Sequence, residues 1–78
     1  MHVKIYTTTH CPYCNMAKDF FKKNSVKYEE VNVELDEKAA EEMIEKSGQM
    51  GVPVIDVDGK IIVGFDRPAL EKALKVKA

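Results

Sequence analysis

Residues 11–14, Cys-Pro-Tyr-Cys, contain both cysteines of this 78-residue sequence and decide how the rest of the chain is arranged. Before them, residues 3–7 alternate apolar and polar side chains and are rich in β-branched and aromatic types, as β-strands are. After them, Pro12 is suited to a first helical turn. Apolar residues then recur at the spacing of one helix face, at Cys14, Ala17, Phe20 and Phe21. The sequence therefore predicts a strand, the cysteine pair and a helix in immediate succession.

A second strand and a second helix follow. Residues 27–33 alternate apolar and polar side chains in the manner of a strand. Asp36 is placed to cap a helix, and Gly48 is placed to end it in a left-handed conformation. The apolar stripe of this helix is predicted at Ala39, Ala40, Met43 and Ile44. Its acidic residues are expected on a solvated face, namely Glu37, Glu41, Glu42 and Glu45.

The last third of the chain has the pattern of a hairpin and a helix. Residues 53–57 and 60–63 are strand-like and flank Asp58-Gly59, a favoured two-residue hairpin turn. Asp66 is expected to cap a third helix with an apolar stripe at Ala69, Leu70, Ala73 and Leu74. The order β-α-β-α-β-β-α predicts an α/β protein with a four-stranded mixed sheet flanked by three helices. The length predicts one domain over residues 1–78.

Charge and hydropathy argue against several classes of function. The 12 basic and 13 acidic residues give a net charge of −1, so no basic excess indicates a nucleic-acid or membrane surface. The first residues lack the apolar core of a signal peptide, and no apolar run is long enough to span a bilayer. We therefore expect a cytoplasmic protein with no nucleic-acid or membrane partner, and nothing demands more than a monomer.

The spacing of the two cysteines indicates redox chemistry. In a reducing compartment, Cys-x-x-Cys beside a βαβ pattern is typical of a catalytic dithiol. Cys11 immediately precedes the helix, so first-turn amides and the helix dipole can stabilise its thiolate. Cysteines in this setting have pKa values lowered to about 3.5–7.5. Cys14 lies one turn further on and should be more shielded. We predict that Cys11 is the nucleophile that attacks a substrate disulfide and that Cys14 resolves the mixed disulfide.

Two other uses of the cysteine pair have to be weighed. Structural zinc normally needs four ligands, and the chain offers only its two cysteines with His2 and His10. Two protomers could still share a metal ion or an iron–sulfur cluster through Cys11. A structural disulfide is the other use, but so short a loop constrains little of the unfolded chain. Redox exchange without a metal in the site is the preferred hypothesis.

Val52-Pro53 is the second feature with two interpretations. Proline is tolerated at the first residue of a strand, and the dipeptide then has no further role. Alternatively the bond is cis and turns the backbone N–H and C=O of Val52 towards the cysteines. An extended substrate segment could then pair with those groups as an added strand. The residues alone leave both interpretations open.

Taken together, these motifs resemble the glutaredoxin family of the thioredoxin superfamily. The matching segments are Cys-Pro-Tyr-Cys, then Val52-Pro53-Val54 and Gly64-Phe65-Asp66, and their spacing fits across residues 1–78. The resemblance implies the thioredoxin fold, a cis Pro53, and a dithiol oxidoreductase that reduces protein disulfides or glutathione mixed disulfides. Such enzymes serve electron transport and cell redox homeostasis. The resemblance implies no bound cofactor, with glutathione as a candidate cosubstrate.

The resemblance also implies a glutathione site. Tyr13 would flank the glutathione sulfur, and Val52, fixed by Pro53, would pair with the cysteinyl backbone. Gln49 matches a glutamine that helps to hold the glycyl end. The γ-glutamyl end would be held by Gly64, Phe65 and Asp66, with the Asp66 carboxylate facing the α-amino group.

Four positions depart from the pattern of many glutaredoxins. Met50 stands for an arginine, Gly51 for a threonine, Val63 for a glycine and Arg67 for an acidic residue. Loss of the arginine weakens carboxylate capture. Gly64-Phe65 followed by a charged residue and a nearby proline instead resembles NrdH-type redoxins, which thioredoxin reductase reduces. An NrdH-like electron donor is therefore the alternative function, and a metal- or cluster-binding dimer is the alternative from another class.

Smaller expectations concern the surroundings of the cysteines. Tyr6 either lines the site or packs in the interior. Lys18, one turn past Cys14, either adds positive potential or is solvated, and His10 is expected to be exposed. The first strand and helix show no obvious counterpart of the buried aspartate that thioredoxins carry behind the second cysteine. Proton handling by a buried acid is therefore not expected.

Overall fold

Four strands and three helices alternate along the chain in the predicted order. The structure, a computed structural model, describes residues 2–75. Its elements are β1 (Val3–Thr7), α1 (Pro12–Lys23), β2 (Glu29–Asn32), α2 (Glu37–Ser47), β3 (Val54–Val57), β4 (Lys60–Val63) and α3 (Arg67–Leu74). The predicted fold class is confirmed. No helix among these residues is both long and apolar enough to cross a membrane.

The four strands form one mixed sheet in the order β2-β1-β3-β4. Strand β1 pairs with β2 in parallel and with β3 antiparallel, and β3 pairs with β4 antiparallel. Strand β2 is shorter than the predicted residues 27–33. As an edge strand it pairs only with β1, and that ladder begins where Glu29 lies opposite Lys4. Strand β3 begins one residue after Pro53, which has no N–H to give to a ladder.

Both faces of the sheet are covered. Adjacent residues Ile5 and Tyr6 of β1 are each fully buried, and because strand side chains alternate they belong to opposite faces. One face packs against α1 and α3 through Val3, Ile5, Ala17, Phe20, Phe21, Ile55, Val57, Ile62, Leu70 and Leu74. The other packs against α2 through Tyr6, Ala39, Met43 and Val54. The apolar stripe of α2 is narrower than predicted, since Ile44 is 38% exposed.

The predicted caps fix where α2 and α3 begin and end. The Asp36 carboxylate accepts a hydrogen bond from the N–H of Ala39 at 3.1 Å. The Asp66 carboxylate accepts one from the N–H of Ala69 at 3.2 Å. Gly48 ends α2 in the left-handed region with φ of 72°. Such caps satisfy backbone groups that have no partner within the helix.

Glu42 lies on the predicted solvated face of α2, with its side chain 42% exposed, but it also makes contacts that the sequence did not indicate. Its Oε1 accepts hydrogen bonds from the hydroxyl of Tyr6, from Nζ of Lys4 at 2.9 Å, and from Nζ of Lys46 at 3.3 Å. These bonds, with Tyr6 foremost, lower the pKa of Glu42 to about 2. Lys46 also bonds Asp56 of β3 at 2.8 Å. The acid is recruited because a buried tyrosine hydroxyl needs a partner. Tyr6 therefore packs in the interior beside α2.

Candidate active site

Cys11 caps the amino terminus of α1. Its backbone is extended, with φ of −143° and ψ of 95°, and its Sγ accepts the N–H of Cys14 at 3.1 Å. The two cysteines form a disulfide with their Cα atoms 5.2 Å apart, so the structure represents the oxidised state. Both residues are largely covered, but Cys11 keeps 8% of its surface exposed and Cys14 only 1%. The more accessible of the two cysteines is therefore the one at the helix terminus.

The charges on α1 favour an anion at Cys11. The first turn of α1 has no acidic residue, and the last turn has Lys22 and Lys23. The unpaired amides and the dipole of a helix terminus stabilise negative charge there. Once the disulfide is reduced, the N–H of Cys14 is in place to donate to a Cys11 thiolate. The arrangement therefore suits a nucleophilic sulfur.

The loop that precedes Cys11 is hydrogen-bonded to the last residue of β2 and to the segment that follows it. The N–H of Thr9 donates to Oε1 of Glu34 at 3.0 Å, and the Asn32 amide donates to the Thr9 hydroxyl at 3.3 Å. His10 is exposed, as expected. Sequence reasoning missed Glu34 because an acidic residue in a connection gives no local signal of a partner 25 residues away.

The Val52-Pro53 bond is cis, as the family resemblance implied. The carbonyl of Pro53 accepts the N–H of Gly64 at 2.8 Å, which joins two of the segments singled out from the sequence. Gly64 has φ of 79°, a conformation that side chains rarely adopt. Within the described residues 2–75, neither the N–H nor the C=O of Val52 has a hydrogen-bond partner. These two groups are therefore free to pair with an added segment.

The Gln49 side chain folds back onto its own loop. Its amide donates to the Gly51 carbonyl at 2.9 Å, and its Oε1 accepts the Gly51 N–H at 2.6 Å. A methyl group on Gly51 would lie 2.7 Å from that Oε1, so the glycine permits the closure. Binding of a ligand by Gln49 would have to exchange these bonds.

The segment before α3 is positioned by packing. Phe65 is half-buried and meets Phe20 edge-to-face, with the ring centroids 6.1 Å apart. Arg67 donates from Nε to Glu71 at 3.1 Å and lies 5.9 Å from the Phe20 ring centroid. Arg67, which replaces an acidic residue of the family pattern, is thus engaged within α3.

Tyr13, in the first turn of α1, is 62% exposed and free to meet a ligand.

A further polar group, which sequence reasoning did not assemble, lies where β1 ends and α1 begins. The hydroxyl of Thr7, which is 1% exposed, donates to Oε2 of Glu30 at 3.0 Å, and Lys18 donates to the same oxygen at 3.0 Å. Lys18 holds the pKa of Glu30 below its usual range. We call this group the Lys18–Glu30–Thr7 cluster. The sequence placed Lys18 one turn past Cys14, but no pattern in it indicated the contacts with Glu30 and Thr7.

Metal ligands are not grouped in the described part of the chain. Among residues 2–75, no three side chains of the histidine, cysteine, aspartate or glutamate types converge as a metal site would require.

Comparisons with known proteins identify the family. The family model for glutaredoxin matches residues 3–62. A glutaredoxin-like 8.6 kDa protein in the rubredoxin operon of Clostridium pasteurianum is 44% identical over 73 residues, which cover 94% of this chain and 97% of that protein. Glutaredoxin 3 of Escherichia coli is 38% identical over 65 residues, covering 83% of this chain and 78% of the relative.

Solved structures support the same assignment. The crystal structure of a mutant thioredoxin-like protein superimposes with a TM-score of 0.91 at 29% identity, and the match covers 96% of each chain. The comparisons do not favour the NrdH-like alternative over a glutaredoxin-type enzyme.

Proposed function

Because this chain belongs to the glutaredoxin family and is a thiol–disulfide oxidoreductase, we propose that Cys11 is its nucleophile and Cys14 its resolving thiol. The observation that carries this assignment is the asymmetry of the pair. Cys11 lies at the helix terminus, its sulfur accepts a backbone N–H, and it is the more accessible residue of the two. Cys14 lies one turn inside the helix and is almost fully covered. A thiolate that must meet a substrate belongs at the first position.

The reaction then proceeds in two exchanges. The Cys11 thiolate attacks one sulfur of the substrate disulfide, forms a mixed disulfide, and releases the other sulfur as a thiolate that takes up a proton. Cys14 loses its proton and attacks Cys11. The bond between Cys11 and the substrate breaks, and the second substrate sulfur leaves as a thiol. Two electrons have passed from the cysteines to the substrate, whose sulfurs gain one proton from Cys14 and one from solvent, and the Cys11–Cys14 disulfide seen in the structure is the product.

The proposed substrate site extends from the cysteines across three segments. Val52 and the cis Pro53 offer free backbone groups for an extended segment, and the exposed ring of Tyr13 flanks the sulfur. Gln49 would hold a glycyl end after giving up its bonds to Gly51. The γ-glutamyl end of glutathione would lie against Gly64, Phe65 and Asp66, at the amino terminus of α3, where a carboxylate is favoured.

The same proposal covers the setting of the enzyme. It acts on protein disulfides or glutathione mixed disulfides as a cytoplasmic monomer, with no resident cofactor and with glutathione as cosubstrate. We propose a single glutaredoxin-like domain over residues 1–78, of which the structure describes residues 2–75. The single domain is supported by the packing of both hydrophobic layers on one sheet and by a structural match that covers 96% of the chain.

Substitution of each cysteine by serine tests the role assignment. Cys14→Ser should accumulate a mixed disulfide at Cys11 when given a disulfide protein, detected as an added mass that a reductant removes. Cys11→Ser should form none and should lose all exchange. Ser25→Ala, an exposed position remote from both sulfurs in sequence, is the control and should behave as wild type. A mixed disulfide trapped on Cys14 would reverse the assignment.

The electron donor is tested separately. The oxidised protein is mixed either with glutathione or with thioredoxin reductase and NADPH, and free thiols are counted over time. Glutathione should reduce it, and Cys14→Ser should keep a glutathione-linked monothiol reaction. Reduction by the reductase alone would establish the NrdH-like alternative.

A further inference from the structure

The Lys18–Glu30–Thr7 cluster places a pair of opposite charges one helical turn from the resolving cysteine. Lys18 follows Cys14 by four residues on α1, and side chains so spaced are neighbours on a helix surface, with Cβ atoms about 5–6 Å apart. The Lys18 ammonium meets the Glu30 carboxylate at 3.0 Å, and Thr7, at the carboxyl end of β1, fixes the same oxygen. The pair is only partly exposed, at 23% for the Lys18 side chain and 40% for that of Glu30.

Cys14 needs such a neighbour. Its thiol must lose a proton before it can attack Cys11, yet it is 99% covered, and burial disfavours a thiolate. The charged groups that face Glu30 are Lys18 and Lys22 from α1, while β1 contributes the uncharged Thr7. Of these three residues, Lys18 lies one helical turn from Cys14 on the same face of α1. The local field at the thiol therefore depends on how far Glu30 offsets Lys18.

We propose that Lys18 and Glu30 are positioning residues that set the pH at which Cys14 resolves the mixed disulfide, with Glu30 attenuating a cation that would otherwise promote the thiolate. This inference rests on the proposed roles of Cys11 and Cys14. In the step concerned, Cys14 gives its proton to solvent, its sulfur bonds to Cys11, and the bond from Cys11 to the substrate sulfur breaks. The leaving thiolate takes up a proton, so neither electrons nor protons are left over.

Two variants should move this step in opposite directions. Glu30→Gln retains the amide oxygen for Thr7 and leaves Lys18 unopposed, so the pH midpoint of resolution should fall. Lys18→Met removes the cation that bonds Glu30 and leaves Lys22 as the charged group facing it, so the midpoint should rise. Solvent screens a partly exposed pair, and we expect each shift to be about half a pH unit. The double variant should have the wild-type midpoint. Lys18→Arg, which keeps the positive charge, should also have the wild-type midpoint.

The measurement is stopped-flow reaction of the reduced protein with dithiobis(nitrobenzoate) across pH. Attack by Cys11 releases one thionitrobenzoate, and resolution by Cys14 releases a second, so the two phases are separated in one trace. The exposed Glu29→Gln and Lys23→Met are matched charge controls and should leave the second phase unchanged. Far-ultraviolet circular dichroism confirms that each variant is folded, and Glu30→Ala or Lys18→Leu, which removes the same charge, replaces a variant that is not.

The possible results distinguish failure of this proposal from failure of the roles assigned to the two cysteines. Opposite shifts that cancel in the double variant support the proposal. Shifts of the same sign, or none, in folded variants would overturn it, because a merely structural cluster loses the same contacts either way. If wild type released a single thionitrobenzoate, or Cys14→Ser released two, the roles assigned to the cysteines would fail instead, whatever the charges do.

Discussion

Glu42→Gln should destabilise the protein at neutral pH and should also remove part of its acid sensitivity. Glu42 joins three elements: Tyr6 and Lys4 of β1 donate to its Oε1, and Lys46 of α2 links it onward to Asp56 of β3. Glutamine keeps the shape and one acceptor oxygen but has no charge. The substitution therefore isolates the electrostatic contribution of the carboxylate from its packing.

The structure bounds the size of the effect. The pKa of Glu42 falls from 4.5 to about 2. Taken at about 1.4 kcal/mol per pH unit, this shift would set a ceiling near 3 kcal/mol. The side chain is 42% exposed, however, and solvent-exposed ion pairs are each worth about 0–1 kcal/mol. We therefore expect a loss of about 1 kcal/mol at pH 7, which for a domain of this size lowers Tm by about 4–8 °C.

The sign of the pH dependence follows from the direction of the shift. A carboxylate whose pKa is depressed by folding contributes its stabilisation above its unfolded pKa and loses it as pH falls through the folded value. The advantage of wild type over Glu42→Gln should thus be complete above about pH 4.5 and vanish towards about pH 2. Urea unfolding of the disulfide-intact protein, followed by circular dichroism over this range, measures the difference in free energy of unfolding.

Glu41→Gln and Glu45→Gln are the matched controls, because both residues are exposed on the same helix. They should change the free energy of unfolding by a few tenths of a kcal/mol at most. Should the deficit of Glu42→Gln persist undiminished at pH 2, it would arise from packing rather than charge. If Glu42→Gln were as stable as wild type at pH 7, the three hydrogen bonds to the carboxylate would contribute no more stability than hydrogen bonds to water.

Three further substitutions have calculable costs. Leu70→Ala removes a fully buried side chain from the face shared by α1 and α3 and should cost about 3 kcal/mol in urea unfolding; a cost under about 1 kcal/mol would show that the core can collapse around the gap. Asp66→Ala deletes the bond to the Ala69 N–H and should cost about 1 kcal/mol, whereas Asp66→Asn, which still caps, should cost much less. In Gly64→Ala the added methyl group meets no atom within 4 Å, so the substitution tests only the backbone conformation, which has a φ of 79°. It should cost about 1–2 kcal/mol of unfolding free energy, and a variant as stable as wild type would contradict that backbone geometry.

Local patterns were sufficient to predict most of the fold. Strand β1 and the hairpin around Asp58-Gly59 follow from alternation and turn chemistry, and the helix limits follow from capping residues such as Asp36 and Gly48. The extent of β2 did not follow, because the end of an edge strand depends on its partner and not on its own residues. The hydrogen bonds of Glu42 were not predicted for a related reason: its partners Lys4 and Tyr6 are 38 and 36 residues away.

The candidate site, like the fold, could be predicted only in part from local patterns. The position of Cys11 at a helix terminus was predictable from Pro12 and the apolar spacing that follows. The cis bond before Pro53 required the family resemblance, because either isomer is compatible with the residues alone. The closure of Gln49 on Gly51 and the meeting of Lys18 with Glu30 depend on side-chain geometry after folding. No periodicity in the sequence encodes such contacts.

The sulfur cap of α1 makes activity and foldability separable at Cys11. This residue occupies the N-cap position, where helices prefer serine, threonine, aspartate and asparagine. A single change to serine would therefore keep an acceptor for the N–H of Cys14 while deleting the nucleophile. In evolutionary terms, a lineage that no longer needed the chemistry could lose it at this position and retain the scaffold. The need for sulfur at position 11 is thus chemical rather than structural, and α1 would tolerate serine there.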